Sequence, residues 1–269
     1  MIKKRIYPLL FPLLLLIIWE LSGRFNFVFS DFLTFVGFEK HRVPDFSFII
    51  PVSDVVMKLV EMIISGEVLP YLWDTTWRTT VGFIISGLLG TSIGFFLGVR
   101  RSAEILFYST IDGIRSIPPI ALLPLFILFL GIEDTMKIGF IIFGAVWPIV
   151  LNTFYGVKGI NTTYLKVAKN LGHSNRFIFK NVIFPLSLPS IFTGLKISLS
   201  ISLILSIVVE MIAGNSGLGW LINYSNRNFD FDEMYGAIIL VALLGWLLNM
   251  LLNIIDSRWL DWYYKSKQN

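Results

Sequence analysis

Of 269 residues, 55% are hydrophobic and only 15% charged, against roughly 25% charged in an average soluble domain, so most side chains here need not face water. The net charge of +4 has no basic polar face behind it, which excludes a nucleic-acid binder. Cysteine is absent, which excludes disulfides, thiolate metal sites and a Cys nucleophile; His41 and His173 stand far apart in the chain, without a ligand-spaced partner for a metal centre.

Behind Lys3, Lys4 and Arg5 an apolar run over about 6–22 is long enough for a first transmembrane helix. A basic start before an apolar run is also the pattern of a signal peptide, but the run ends in Trp19-Glu20-Leu21-Ser22, without a small-x-small cleavage site, and an uncleaved span is expected. After the breakers Pro44 and Pro51, Val55, Val56, Leu59, Val60, Ile63 and Ile64 predict an amphipathic helix over 54–64, lying at the outer interface. Residues 1–72 thus read as an N-terminal extension.

A second span is predicted over 79–99. Gly82, Ser86, Gly90, Gly94 and Gly98 recur every fourth residue, and small residues at that spacing let another helix backbone approach closely. Because four residues turn about 400°, the stripe drifts around its helix, which predicts a crossing contact rather than a straight seam. Ala103, Leu106, Phe107, Ile111, Ile114 and Ile117 then make one apolar face of an inner-surface helix. It bends at Pro118 and Pro119 into a third span over 117–132, which also holds Pro124. A broken helix can mark a translocation route or be plain helix geometry; Arg115, Pro118 and Pro119 are candidate pathway residues on that ground.

The fourth span is predicted over 136–157, the fifth over 192–214 and the sixth over 235–255. In the fifth, Gly194, Ser198, Ser202, Ser206, Glu210 and Gly214 repeat every four residues, so Ser202 and Ser206 are candidates for helix packing or for the pathway. Glu210, a carboxylate near a helix end, asks for a partner on another helix or for a wet cavity. Asn249, Asn253 and Asp256 form a polar stripe near the inner end of the sixth span, ahead of a tail over 257–269. With the N-terminus inside, fifteen of the 22 Lys and Arg fall in inner segments, so both termini are expected in the cytoplasm. The fold class read from these patterns is an all-α integral membrane protein with six transmembrane helices.

The inner loop over 158–190 is the longest and is basic. Tyr164 to Leu171 predicts a short helix closed by Gly172 as its C-cap. From His173 on, Phe177, Ile178, Phe179, Val182 and Ile183 are apolar anchors among polar residues, and Pro185 and Pro189 are expected to stop regular structure before the fifth span. A helix–Gly–helix unit of this kind suits docking into a groove on a soluble partner, or lying idle on lipid headgroups.

This loop resembles the "EAA" loop of bacterial ABC importer permeases, a pattern of Glu-Ala-Ala, three residues, Gly, nine residues, Ile, any residue and Leu-Pro. Ala168, Gly172 and Pro185 match it with the Gly-to-Pro spacing kept, and Val182 and Phe184 are apolar replacements. Lys166 stands where Glu is usual and Val167 where the first Ala is, which reverses a charge. Three further blocks resemble the nitrate/sulfonate/taurine-type subgroup: Trp77-Arg78 leading into Gly82-Phe83, Arg115-Ser116-Ile117-Pro118-Pro119 with the apolar residues after it, and Glu210-Met211 followed by Ser216-Gly217-Leu218-Gly219-Trp220. The resemblance spans about 73–256, taken as the permease domain.

The resemblance implies type I ABC importer permease architecture in the cytoplasmic (inner) membrane. A second permease, another copy or a homologue, would complete a pathway for a small anion or a vitamin precursor. Two cytoplasmic ABC ATPase subunits would hold ATP and Mg, and an extracytoplasmic solute-binding protein would deliver the solute. Lys166, Ala168, Gly172, His173, Phe177, Phe179 and Pro185 are the ATPase-coupling residues so implied. The chain carries no Gly-x-x-x-x-Gly-Lys-Ser/Thr loop, so no catalytic residue or cofactor is assigned to it. On the residues alone, a membrane-embedded enzyme lacks clustered polar groups at membrane depth, while a channel or a transporter not driven by ATP stays open.

Overall fold

A computed structural model describes residues 11–25 and 49–266, and every regular element in them is helical. They are α1 (11–25), α2 (Val52–Ser65), α3 (Leu69–Val99), α4 (Arg101–Arg115), α5 (Pro119–Leu130), α6 (Asp134–Lys158), α7 (Thr162–Asn170), α8 (Asn175–Ile178), α9 (Phe184–Ala213), α10 (Leu218–Arg227), α11 (Phe231–Trp259) and α12 (Asp261–Ser266). Among the described residues four helices are long and apolar enough to cross a membrane: α3, α6, Asn175–Ala213 and α11. The end of α4 and α5, bent by 88° at the Ser116–Pro118 break, make a fifth crossing if they act as one span. The first predicted span is described only from residue 11 onward. Lys3, Lys4, Arg5, Lys40, His41, Arg42, Pro44 and Lys267 lie outside the described residues.

Three expectations are corrected. Pro185 and Pro189 do not stop the helix; they sit inside one continuous helix from α8 through α9. Proline clashes with the carbonyl four residues back, but a π-helical turn over Phe179–Ile183 precedes Pro185, with the Phe184 N–H donating to the Phe179 carbonyl. Such a wide turn absorbs the missing bond. Second, α3 begins ten residues before the predicted 79, because Pro70 supplies a helix start at Leu69. Third, the expected pattern assigns no element between the fifth and sixth spans, whereas α10 forms there; Leu218 and Leu221 are buried against Met62 and Val68, so tertiary contact forms it.

The small-residue stripe of α3 makes a straight seam, not a crossing. A Cβ added at Gly82 would lie 2.5 Å from Ile141 Cγ2; one at Gly90, 2.7 Å from Ile149 Cβ; one at Gly94, 2.5 Å from Thr153 Cβ; and one at Gly98, 2.7 Å from Val157 Cβ. Each step of four on α3 is matched by a step of four on α6, so the two stripes drift together and the helices stay in contact. The matched order also makes α3 and α6 parallel. The chain must therefore return to the other end between them, and the α4–α5 pair is the segment that does so.

α9 runs antiparallel to α6: Ser198 donates to the Ala145 carbonyl at 2.7 Å, while Gly156 faces Ser190 and Gly144 faces Leu205. α11 runs antiparallel to α9, with Lys196 against Asp256 near one end and Leu203 against Gly245 nearer the other. α1 meets the start of α11 through Trp19 and Tyr235, and Glu20 accepts from the Ser53 N–H at 3.0 Å at the start of α2.

At the end of the bundle where α3 and α6 begin and α9 ends, a buried ionic clasp closes the core. Glu210 is fully buried. One of its oxygens accepts from Arg78 Nη1 at 3.0 Å. The other accepts from Thr75 Oγ1 at 2.8 Å and from the Gly219 N–H at 3.1 Å. Arg78 also donates through Nε to Asp134 at 2.8 Å and through Nη1 to the Ser216 carbonyl at 3.1 Å. Ser216 donates to Asp74, and the Leu218 N–H donates to Thr75 Oγ1 at 2.8 Å. Lys137, also buried, reaches Asp134 Oδ1 at 3.4 Å. The connection after α9 wraps the carboxylate because Gly217 takes φ +106°, and a Cβ there would strike the Glu210 carboxyl group.

Removing one partner of a buried pair strands the other charge, so Arg78→Ala is expected to destabilise the protein by about 3–5 kcal/mol, read as a lower thermal midpoint in detergent; an unchanged midpoint would show that the clasp contributes little. Gly94→Ala should cost about 1–3 kcal/mol by overpacking the seam. Gly113→Ala, at a position with nothing within 4 Å of the new Cβ, should cost nothing in the same melt.

Candidate functional site

At the opposite end of the bundle the chain leaves α6 and forms an elbow. Its base is tied down where Lys158 pairs with Glu104 of α4. Asn161 caps α7 by accepting from the Thr163 N–H at 2.9 Å, and Ser174 caps α8 by accepting from the Phe177 N–H at 3.3 Å. Between them the chain reverses at Gly172, φ +76°. The His173 N–H donates to the Ala168 carbonyl at 3.2 Å and the Gly172 N–H to the Lys169 carbonyl at 2.9 Å. That pair of bonds is a Schellman closure, which requires the left-handed conformation glycine adopts without strain. Leu171 is the C-cap, and Gly172 follows it.

Two sets of apolar side chains leave this elbow in different directions. Ala168 and Ile178 are buried beneath it. Phe179 turns back to α3, with its ring edge-on to Phe95 at 5.1 Å, and Phe184 stacks on Phe95 at 5.8 Å. These contacts fix the elbow to the spans. On the outside, Leu171 is 70% exposed, and Tyr164, Val167 and Phe177 are exposed with it. His173 stacks on Phe177 with ring centroids 4.0 Å apart. Lys166 is exposed on the same short helix, and Pro185 lies within the helix that leaves the elbow. Val167, Leu171, Phe177 and Val182 line an open groove at the elbow together with Trp262 of α12.

The seven predicted coupling residues therefore share one end of the bundle, but not one role in packing. Phe179 is an anchor to α3, whereas Tyr164, Val167 and Leu171 are the protruding apolar groups. The signal for them was present as apolar residues on a helix too short to bury them. Trp262 was not foreseen, because nothing in a tail sequence shows that Leu260 beside it is buried against Phe192, Leu199 and Leu252.

The predicted pathway residues are not brought together. Arg115 is exposed and paired with Asp112 on its own helix at 2.5 Å. Pro118 precedes the first turn of α5, and Pro119 rests against Gly144 of α6. Ser202 donates to the Ser198 carbonyl at 2.9 Å, Ser206 is fully buried, and Glu210 is held in the clasp, so all three sit inside the bundle core. Of the inner stripe on α11, Asp256 turns in to Lys196, while Asn253 stays exposed.

Over residues 87–260 the chain matches the family described as the binding-protein-dependent transport system inner membrane component. It is 34% identical over 198 residues to the aliphatic sulfonates transport permease protein SsuC of Escherichia coli K12, covering 74% of this chain and 75% of that one. It is 35% identical over 185 residues to the nitrate import permease protein NrtB of Leptolyngbya laminosa, covering 67% and 65%. The fold is similar to that of a chain in the MetNI methionine ABC transporter, with a TM-score of 0.63 at 20% identity over 73% of this chain and 97% of that one. With spans, elbow and family model in agreement, the chain belongs to the binding-protein-dependent transport system inner membrane components and is a multi-pass permease subunit of an ABC importer.

Proposed function

We propose that this permease pairs with a second copy, or with a homologue, to line one pathway. Two cytoplasmic ATPase subunits holding ATP and Mg drive it, and an extracytoplasmic solute-binding protein docks at the clasp end. The solute is a small oxyanion, a sulfonate or nitrate, as the names of the similar permeases suggest. Six spans with both termini in the cytoplasm fit the alternating helix directions: α1, α5 and α9 run from the elbow end to the clasp end, and α3, α6 and α11 run back. Arg100, Arg101, Lys158, Lys166, Lys169, Arg176 and Lys180 all belong to the elbow end, and the positive-inside rule assigns that end to the cytoplasm.

The observation that carries the coupling role is the closed elbow with its exposed apolar groups. Tyr164, Val167 and Leu171 fill a groove on an ATPase subunit, and Phe179 against Phe95 passes the motion to α3. A packed elbow moves with its spans as a rigid body, so nucleotide-driven closure of the ATPase pair rotates the helices and alternates access. On this reading the permease domain spans 73–256, between an extension of 1–72 and a tail of 257–269 whose limits fall inside α3 and α11, with 158–190 as the coupling loop.

Gly172 tests it, because a side chain there meets no steric obstacle and only the backbone conformation is at stake. Holding a β-branched residue in the left-handed region costs roughly 1–2 kcal/mol, about a tenfold loss of the closed elbow. Gly172→Val is expected to insert normally yet lose about that factor in ATP hydrolysis stimulated by the loaded binding protein. Gly172→Asn, which tolerates that conformation, should retain most of the stimulation. Equal coupling in both variants would remove the elbow from the mechanism.

A further inference from the structure

The seam between α9 and α11 has one apolar flank and one that carries the exposed polar side chains of both helices. Lys196, Leu199 and Leu203 of α9 meet Asp256, Leu252 and Gly245 of α11 along the seam itself. At 100° per residue, Ile191 and Leu195 fall to one side of that line on α9, and Ile255 and Trp259 to the same side on α11. Together with Phe83 and Leu88 of α3 they line a groove that is apolar except for Thr91. Thr193 and Ser200 fall to the other side on α9, and Asn249 and Asn253 on α11, interleaved with the exposed Ile197, Ile204, Trp246 and Met250. Thr193, Ser200 and Asn253 are exposed, and Asn249 is half-buried.

The polar flank lies inside the spans. Lys196 is seventeen residues before the end of α9 at Ala213, about 26 Å at 1.5 Å per residue. The hydrocarbon core is about 30 Å thick, so the flank faces its inner half. Asn249 donates to the Gly245 carbonyl at 2.9 Å, but the Asn253 amide has no side-chain partner among the described residues. Exposed amides at that depth are costly against lipid and are met by water or by protein. The ion pair across the seam is asymmetric: Lys196 Nζ lies 2.5 Å from Asp256, yet the lysine side chain is 37% exposed and the aspartate 6%. The cation is on the outside, with the carboxylate behind it.

We infer that this flank lines the translocation route in the inner half of the membrane, with Lys196 as the cation that an anionic solute meets and the amides of Asn249 and Asn253 beside it as hydrogen-bond donors. The apolar groove on the other flank faces lipid. The buried Ser202, Ser206 and Glu210 take no part in solute contact. This rests on the importer reading above and adds where the solute passes and why it is an anion. A cation at the route favours an oxyanion, and Asp256 pairs with the lysine when no solute is present.

The chain has no native cysteine, so single-Cys variants in the full complex, with its ATPase in membranes, can map the two flanks. Ser200→Cys and Asn253→Cys are expected to react with a charged, water-soluble maleimide and to lose ATP-dependent uptake of a radiolabelled sulfonate once labelled. Leu195→Cys and Ile255→Cys should stay unlabelled. Lys196→Gln should lower sulfonate uptake by about tenfold or more, with Lys196→Arg restoring it. Equal labelling of both flanks, or labelling of neither, overturns the proposal. So does a disulfide between two copies at Asn253→Cys without maleimide labelling, which makes the flank a subunit contact. If unmodified protein takes up solute without ATP, the importer reading has failed instead. If its uptake is ATP-driven and only the labelling pattern is wrong, this inference alone has failed.

Discussion

The bundle depends on pairing the carboxyl group of Glu210 where no water reaches it. Taking a carboxylate and a guanidinium out of water costs several kcal/mol for each ion. Here that cost is offset because nearly every lone pair and donor finds a partner: Arg78, Thr75 and the Gly219 N–H on Glu210, then Asp134 and the Ser216 carbonyl on Arg78. The partners come from α3, α6, the connection after α9 and the start of α10, so satisfying these charges fixes four parts of the chain at once. An apolar cluster of the same size would not distinguish one rotation of these helices from another.

Below the clasp the same helices are joined without polar bonds to spare. Glycines on α3 bring its backbone against Ile141, Ile149, Thr153 and Val157 of α6. Between apolar helices in lipid there is little hydrophobic drive, and close van der Waals packing takes its place. Continuous contact between two parallel helices in turn forces α4 and α5 to cross between them. The prolines at the bend make that possible within a short segment, since α5 has only 12 residues.

The two ends of the core therefore do different work. The clasp end is locked by ion pairs. The elbow end is anchored through Phe179 and Phe184 on Phe95 and leaves Tyr164, Val167 and Leu171 outside. On the proposed coupling role, a force applied at those side chains would reach α3 through the Phe179–Phe95 contact and α9 through an unbroken helix. The π-turn ahead of Pro185 is what keeps that helix unbroken.

The residue pattern by itself determined the helical class, the approximate spans of α3, α6, α9 and α11, the amphipathic α2, the bend at Pro118 and the turn at Gly172, because each rests on local rules: run length, period, proline and the left-handed glycine. It also marked Glu210 as a carboxylate that asks for a partner or a wet cavity. Only the tertiary structure decided that Arg78 is the partner of Glu210, since 132 positions separate them and no local rule pairs charges across that distance. Only the tertiary structure likewise turned the expected crossing into a seam, because a drifting stripe gives a short contact on a straight partner and a long one on a partner that drifts with it. Whether a polar residue in a span is buried, as Ser206 is, or exposed, as Ser200 is, depends on which neighbours surround the helix, and the period of one helix carries no information about its neighbours.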